Sequence, residues 1–349
     1  MSKGRRWALA AIAGLCILAG VGYLVFAALD PSSVSTDAQP VAGQGAGDLA
    51  SAQLMVRAVD REDPFLNGRV FVLEGGHPRE VDGGELSCER VYFAGDRGLC
   101  LATAESGVSY EATIVDSSLQ PLEHLDLAGL PSRARVSSDG RYGAMTVFVN
   151  GHAYVSSGGF STVTTIVDMR NGELLGNLED FKVTRDGEPF EAVDFNFWGI
   201  TFAADPNRFY ATLHTGDRYY LVEGDVKRQT MRVLRDGVEC PSLSPDGTRI
   251  AFKSRIGDEN RWRLAVLDLA TLKAHPVAEQ RSIDDQPEWL DNRALVYSDG
   301  LDVYTVSADG SGKPRLVLRN ASSPVSLAAH DQPASKASAE AGSRPLAEG

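Results

Sequence analysis

The sequence predicts an all-β fold, a β-propeller of six blades, preceded by one N-terminal transmembrane helix. Three observations carry that expectation. A strand-turn-strand signal recurs five times, the spacing of its turns matches blade length, and partial blade material lies at both ends of the repeated region. The turns centre on Asp96, Asp139, Asp205, Asp246 and Asp291, separated by 43, 66, 41 and 45 residues. A blade of four short strands needs roughly 40–50 residues. The gap of 66 therefore holds an insertion.

The clearest unit is Leu243-Ser244-Pro245-Asp246-Gly247-Thr248-Arg249-Ile250-Ala251-Phe252. Asp-Gly and Pro-Asp suit tight turns, because these residues accept left-handed backbone or close their own turn. The apolar run that follows reads as a buried strand. Variants occur at Ser138-Asp139-Gly140-Arg141-Tyr142 and at Asp205-Pro206-Asn207-Arg208-Phe209-Tyr210, and shorter ones at Asp96-Arg97-Gly98 and Asp291-Asn292-Arg293. Each is followed by a further strand ending in an acidic or polar residue, such as Ala112–Asp116, Thr165–Asp168, Tyr220–Glu223, Ala265–Asp268 and Val303–Ser307. Polar bends and outer strands then follow, as at Met231–Leu234 and Arg315–Leu318.

The sixth blade must be assembled from both ends. Leu54–Ala58, Arg69–Leu73 and Pro78–Val81 resemble the later strands of a unit that lacks its first, and Val325–Leu327 can supply it. Closing the ring in this way removes exposed sheet edges, which would otherwise template aggregation, and favours six blades over the alternatives of five or seven.

The run Pro241 to Ser254, followed by an Asp-terminated strand, resembles the repeat of TolB-like β-propellers, including uncharacterised membrane-anchored actinobacterial proteins. The resemblance covers residues 52–328 and is closest in the fourth unit. It implies a binding platform or, in some relatives, the regulatory domain of a peptidase. The peptidase reading would need a hydrolase half, and no Gly-x-Ser-x-Gly elbow occurs.

Residues 1–29 read as a cytoplasmic stub and membrane segment. Lys3, Arg5 and Arg6 precede 23 uncharged residues, Trp7 to Leu29, and a span needs about 20. The preceding positive charge places the N-terminus in the cytoplasm and the remainder outside. The length favours a retained anchor in the inner membrane through residues 7–29. The alternative is secretion after cleavage of a signal peptide, whose apolar core is roughly 7–15 residues, with Val25-Phe26-Ala27 as the cleavage site. Residues 30–52, rich in Pro, Ser and Gly, form a flexible linker. Residues 53–328 form the propeller, and residues 329–349 an Ala/Ser/Pro/Glu tail without core-forming residues.

The net charge is −13. Without Lys3, Arg5 and Arg6, 31 basic residues face 47 acidic ones, or −16. That excess argues against nucleic acid and against adhesion to anionic lipid. Cys88 and Cys100 flank the hairpin turn at Gly95–Gly98. Counting from that turn puts them on paired strands, where a disulfide is expected outside the cytoplasm. Two unpaired buried thiols are the alternative. A closed zinc site needs four ligands, and only His77 lies nearby in sequence. Cys240 reads as a small buried residue.

Catalytic and cofactor motifs are missing. Gly310-Ser311-Gly312-Lys313 lacks the spacing of a phosphate loop, calcium-loop patterns are absent, and the six histidines show no metal-ligand spacing. No catalytic residue, metal or cofactor is expected. Long loops on a rigid scaffold concentrate binding residues, so the segment around His152, Tyr154 and Phe160 is the candidate binding loop, against a solvated hairpin as the bland alternative. Trp198, at the end of an aromatic run with Phe190, Phe195 and Phe197, is a weaker candidate, since such aromatics usually pack in a core. His214 and Asp217, in a third loop, are weaker still. The expectation is a membrane-tethered, extracytoplasmic, non-catalytic binding or scaffold module whose partner is a protein or other cell-envelope component. The alternative is an envelope enzyme working in the propeller channel, as a metal-dependent lactonase or a lyase does.

Overall fold

The computed structural model describes residues 54–61, 63, 66–80, 86–149, 161–257 and 260–327. The predicted membrane segment, the linker and the tail lie outside them. Among the described residues no helix is long and apolar enough to cross a membrane.

The described chain forms six sheets. Strands β1 (Leu54–Ala58), β2 (Val70–Glu74) and β3 (His77–Glu80) are followed by β4 (Arg90–Ala94), β5 (Arg97–Thr103), β6 (Tyr110–Val115) and β7 (Pro121–Leu127). The third blade comprises β8 (Leu130–Val136), β9 (Tyr142–Val149), β10 (Ser161–Asp168) and β11 (Glu173–Asn177). A short hairpin, β12 (Lys182–Arg185) and β13 (Glu188–Pro189), precedes β14 (Asn196–Phe202), β15 (Arg208–Thr215), β16 (Arg218–Asp225) and β17 (Thr230–Asp236). The fifth blade holds β18 (Glu239–Leu243), β19 (Arg249–Arg255), β20 (Trp262–Asp268) and β21 (Ala274–Pro276). The sixth holds β22 (Glu288–Trp289), β23 (Ala294–Ser298), β24 (Val303–Ser307) and β25 (Arg315–Leu318), before β26 (Ala321–Ser326) returns to the first.

The ring closes as the ends of the sequence predict. β26 pairs antiparallel with β1, giving the order β26-β1-β2-β3, with Leu54 opposite Ser326 and Ala58 opposite Ala321. The closing strand begins earlier than Val325, because Ala321 and Ser322 already pair. The first strand of each blade packs on those of its neighbours around the ring.

The five predicted turns all join the first and second strands of a blade. The chemistry repeats: Ser244 Oγ donates to Asp246 (2.6 Å), whose carboxylate accepts the Thr248 N–H (3.0 Å). Ser137 and Asp139 do the same before Arg141. Gly247, at φ +70°, supplies the left-handed residue such a turn needs. Apolar side chains fill the spaces between blades rather than one central core. Phe197 and Phe209 are buried between the third and fourth blades, Trp289 and Tyr297 between the fifth and sixth.

Part of the predicted insertion is β12–β13. β12 pairs in parallel with β17 and lengthens the fourth sheet to six strands. Phe190, Phe195 and Phe197 pack edge to face in sequence, with centroids 5.2 and 5.9 Å apart. Core packing therefore accounts for these three.

Cys88 and Cys100 form a disulfide, with Cα atoms 5.4 Å apart. Cys100 lies on β5 opposite Val91. Cys88 stands just before β4 and reaches it diagonally.

Candidate functional site at the channel mouth

The first strand of every blade lines the central channel, and four of the six are bulged. Ser132 on β8, Gly199 and Ile200 on β14, Cys240 and Pro241 on β18, and Ser323 and Pro324 on β26 are the residues that break register. A bulge re-aims side chains and backbone groups, and proline tolerates such a position because no ladder donor is lost. Cys240 and Ser323 both have φ 49°, a left-handed conformation costly for side chains of this kind. Gly199, at φ +63°, lies against Cys240, and a Cβ there would stand 2.6 Å from the Cys240 Cα.

One level of the channel is plugged by a buried network. Arg135 on β8 pairs with Glu288 on β22, and both are almost wholly buried. Tyr92 on β4 donates its hydroxyl to Glu288 (3.0 Å), and Arg135 donates to Ser242 Oγ on β18 (3.2 Å). The Arg135 guanidinium also lies 4.5 Å from the Tyr92 ring centroid. Burial pushes the Tyr92 hydroxyl pKa well above its ordinary value. Four blades thus meet across the axis through one cation and one anion.

Beside the plug, a small cavity of about 40 Å³ is lined by Arg90, Arg133, Asp285, Gln286 and Ser323. Arg133 also lines a second cavity of about 360 Å³, bounded by Trp198, Cys240, Lys253, Arg255 and Trp262, with Phe148 and Asp284 at its edge. The wall of this mouth alternates cations and rings. Lys253 Nζ lies 4.6 Å from the Trp262 centroid, and the Arg255 guanidinium 4.4 Å from Tyr219 and 5.4 Å from Trp262. Glu239 fixes both partners, accepting from Arg255 Nε and from Trp262 Nε1, each at 3.0 Å. Lys253 pairs with Asp284. Burial opposes the charge on Lys253, yet Cys240 and Asp284 hold its pKa above the ordinary value. These contacts preorganise flat aromatic surface beside fixed positive charge.

Of the weaker sequence candidates, Trp198 lines this mouth and His214 packs behind it. Trp198 lines the cavity, its ring 5.7 Å from His214 and 6.0 Å from Tyr219. His214 stacks on Tyr219 at 4.5 Å. Burial lowers the His214 pKa below the ordinary imidazole value, against the pull of Asp194 and Glu239. Asp217 is exposed at the β15–β16 turn and does not line the cavity. His152, Tyr154 and Phe160 lie outside the described residues. Phe148 and Thr162, which stand close to the ends of that segment, line the cavity.

Sequence reasoning missed Arg90, Arg133, Lys253, Arg255 and Trp262. On a single strand, alternating cations read as a solvated face. The available signal was proline: Pro131, Pro241 and Pro324 each sit in what becomes a first strand. A strand with a proline inside is an edge strand or a bulged one, and the channel wall is both. Among the described residues, no three His, Cys, Asp or Glu side chains come close enough to hold a metal ion.

No protein-family model matches the sequence, and no curated protein matches it. Solved structures do. TolB from Acinetobacter baumannii matches with a TM-score of 0.58 at 15% identity, over 80% of this chain and 67% of that one. A structure of a nidogen–laminin complex matches with a TM-score of 0.52 at 12% identity, over 79% of this chain and 98% of that one. At such identities the likeness shows the fold alone: this chain carries a six-bladed β-propeller of the kind found in TolB.

Proposed function

We propose that this chain is a membrane-tethered, extracytoplasmic propeller that binds a protein of the cell envelope without catalysing a reaction. The observation that carries the reading is the channel mouth. It combines a cavity of about 360 Å³ with two tryptophans, two ring-stacked cations and fixed ion pairs. Tryptophan, tyrosine and arginine dominate the anchors of protein interfaces, and rigid side chains lose little entropy on binding. The neighbouring structures support the reading only through their fold, one of them having been solved as a complex of nidogen with laminin. The acids nearest the mouth are held by cations: Glu239 by Arg255 and Asp284 by Lys253. Carboxylates so engaged suit orientation better than proton transfer. Tethering rests on Lys3, Arg5 and Arg6 before the uncharged run Trp7 to Leu29.

A photo-crosslinking amino acid placed at Trp262 in the full chain, in its native membrane, tests the binding site. The expected result is a discrete crosslinked protein species, absent when the probe replaces Leu174 on the exposed outer part of the third blade. Equal crosslinking at both positions would remove the mouth as the site. The same cells test topology: protease added outside should digest residues beyond 30. Protection of that region would reverse the orientation.

A further inference from the structure

We propose that Arg90 and Arg133 form a carboxylate-binding subsite in the channel, which takes the acidic group of a ligand whose apolar or aromatic part lies in the mouth beside Trp198 and Trp262. The inference deepens the protein-binding reading and rests on it for the source of the ligand, a peptide carboxylate.

The argument starts from the two guanidiniums. Arg90 on β4 and Arg133 on β8 converge on one backbone oxygen, the carbonyl of the bulged Ser132. Arg90 Nε donates to it at 2.6 Å and Arg133 Nη1 at 2.8 Å. Arg90 Nη1 also donates to the Glu89 carbonyl at 2.8 Å. Among the described residues, neither guanidinium has a carboxylate within ion-pair distance. The Arg133 Nε is buried and makes no hydrogen bond there. The Arg135 Nε is equally unpartnered, but its guanidinium is neutralised by Glu288. Arg133 has no ion pair of its own there; against burial, the charges of Cys240, Asp285 and Asp284 hold its pKa above the ordinary value from further off.

One acid, Asp285, shares this space with the two arginines, and the remaining charges are engaged elsewhere. Asp284 is paired with Lys253. Asp285 accepts the N–H groups of Gln286 (2.9 Å) and Ser298 (3.2 Å). Arg57, close by, pairs with Glu89 at 3.7 Å. The consequence is visible at Arg90, whose pKa falls to about 10, through burial first and then through the like charge of Arg133. Two half-buried cations facing the single carboxylate of Asp285 leave an excess of positive charge, which a further anion relieves. In a chain of net charge −13, a positive interior has no solubility role.

Size and geometry select the anion. A water needs about 10–15 Å³ of such space, so the cavity of about 40 Å³ between the arginines accommodates a group of three or so heavy atoms. A planar carboxylate meets that description, and guanidinium forks match it with paired hydrogen bonds. Because Arg133 borders both cavities, an acid held there places its attached chain in the aromatic mouth.

The test uses the full chain in detergent with 3-phenylpropionate and 3-phenylpropanamide, which share a body and differ in the carboxylate. Binding is followed by tryptophan fluorescence and calorimetry. The acid should bind saturably and the amide at least about tenfold more weakly, as expected for loss of charged hydrogen bonds. Arg133→Gln and Arg90→Gln should each weaken the acid by about tenfold and leave the amide unchanged. Arg228→Gln, at an exposed cation elsewhere, should change neither. Equal binding of acid and amide by the unaltered chain would overturn the proposal without any variant. So would undiminished acid binding in both arginine variants, or inorganic phosphate binding tenfold more tightly than the acid. None of these measurements involves a protein partner. The subsite can therefore fail while crosslinking at Trp262 succeeds, and the reverse.

Discussion

Gly199 shows how a single residue sets the shape of the mouth. Its left-handed backbone opens the β14 bulge, and its missing Cβ lets Cys240 approach. Gly199→Ala should cost about 1–3 kcal/mol, from backbone strain and from displacement of the neighbouring bulge. Urea unfolding measures it, and a cost below about 0.5 kcal/mol would show that the bulge relaxes freely. Glu179 supplies a second test. Burial raises its pKa to about 8, although the Thr164 N–H partly stabilises the carboxylate. The folded protein therefore binds a proton that the unfolded chain has released, between the ordinary glutamate pKa of about 4.3 and about 8. Stability from this group falls as pH rises through that window and levels off above it. Glu179→Gln should remove the fall, with an advantage near pH 9 of at most about 5 kcal/mol, reduced by the carboxylate's partial exposure, that vanishes near pH 4. Melting temperatures of both proteins across that range decide the matter. Neither residue was legible beforehand. Gly199 owes its role to a neighbour on another blade, and Glu179 is ordinary until its surroundings are known.

At the scale of the strand and hairpin, local rules carried most of the information. The turn aspartates bond to backbone within two or three residues, so their chemistry is written in adjacent letters. The Cys88–Cys100 bridge was legible for the same reason, since one hairpin holds both ends. Mass analysis after alkylation should find both thiols unreactive until reduction. Cys88→Ser with Cys100→Ser should cost about 2–3 kcal/mol for a loop of this size. Free reaction of both thiols in the native protein would contradict the bridge. An insertion was legible from spacing, but the pairing of the β12–β13 extension was not. Its partner is β17, reached in parallel after three intervening strands, and short exposed strands of that kind leave no periodic pattern.

The whole molecule is held across its axis as well as around its rim. Arg135, Glu288, Tyr92 and Ser242 come from four blades, and their encounter exists only once the ring has formed. Removing one member leaves a buried charge without its partner, so Glu288→Ala should cost about 3–5 kcal/mol. The double replacement Arg135→Met with Glu288→Leu should cost less than that single change. Equilibrium denaturation of the three proteins tests the order, and a double variant weaker than Glu288→Ala would show that the pair does more than cancel its own charges. The channel wall as a whole escaped sequence reading for a related reason. Arg90 and Arg133 look like solvated strand residues until closure turns their strands inward.

The closing strand has a consequence in time. Blade one is begun with Leu54 and completed by Ala321–Ser326, after all the others have been made. A ribosome releases those segments in that order. Until the last strand emerges, β1 is an edge with four buried-type residues in five and no neighbour on its channel side. Such an edge invites pairing with a foreign strand. The first part of the propeller to be synthesised is the last to be safe.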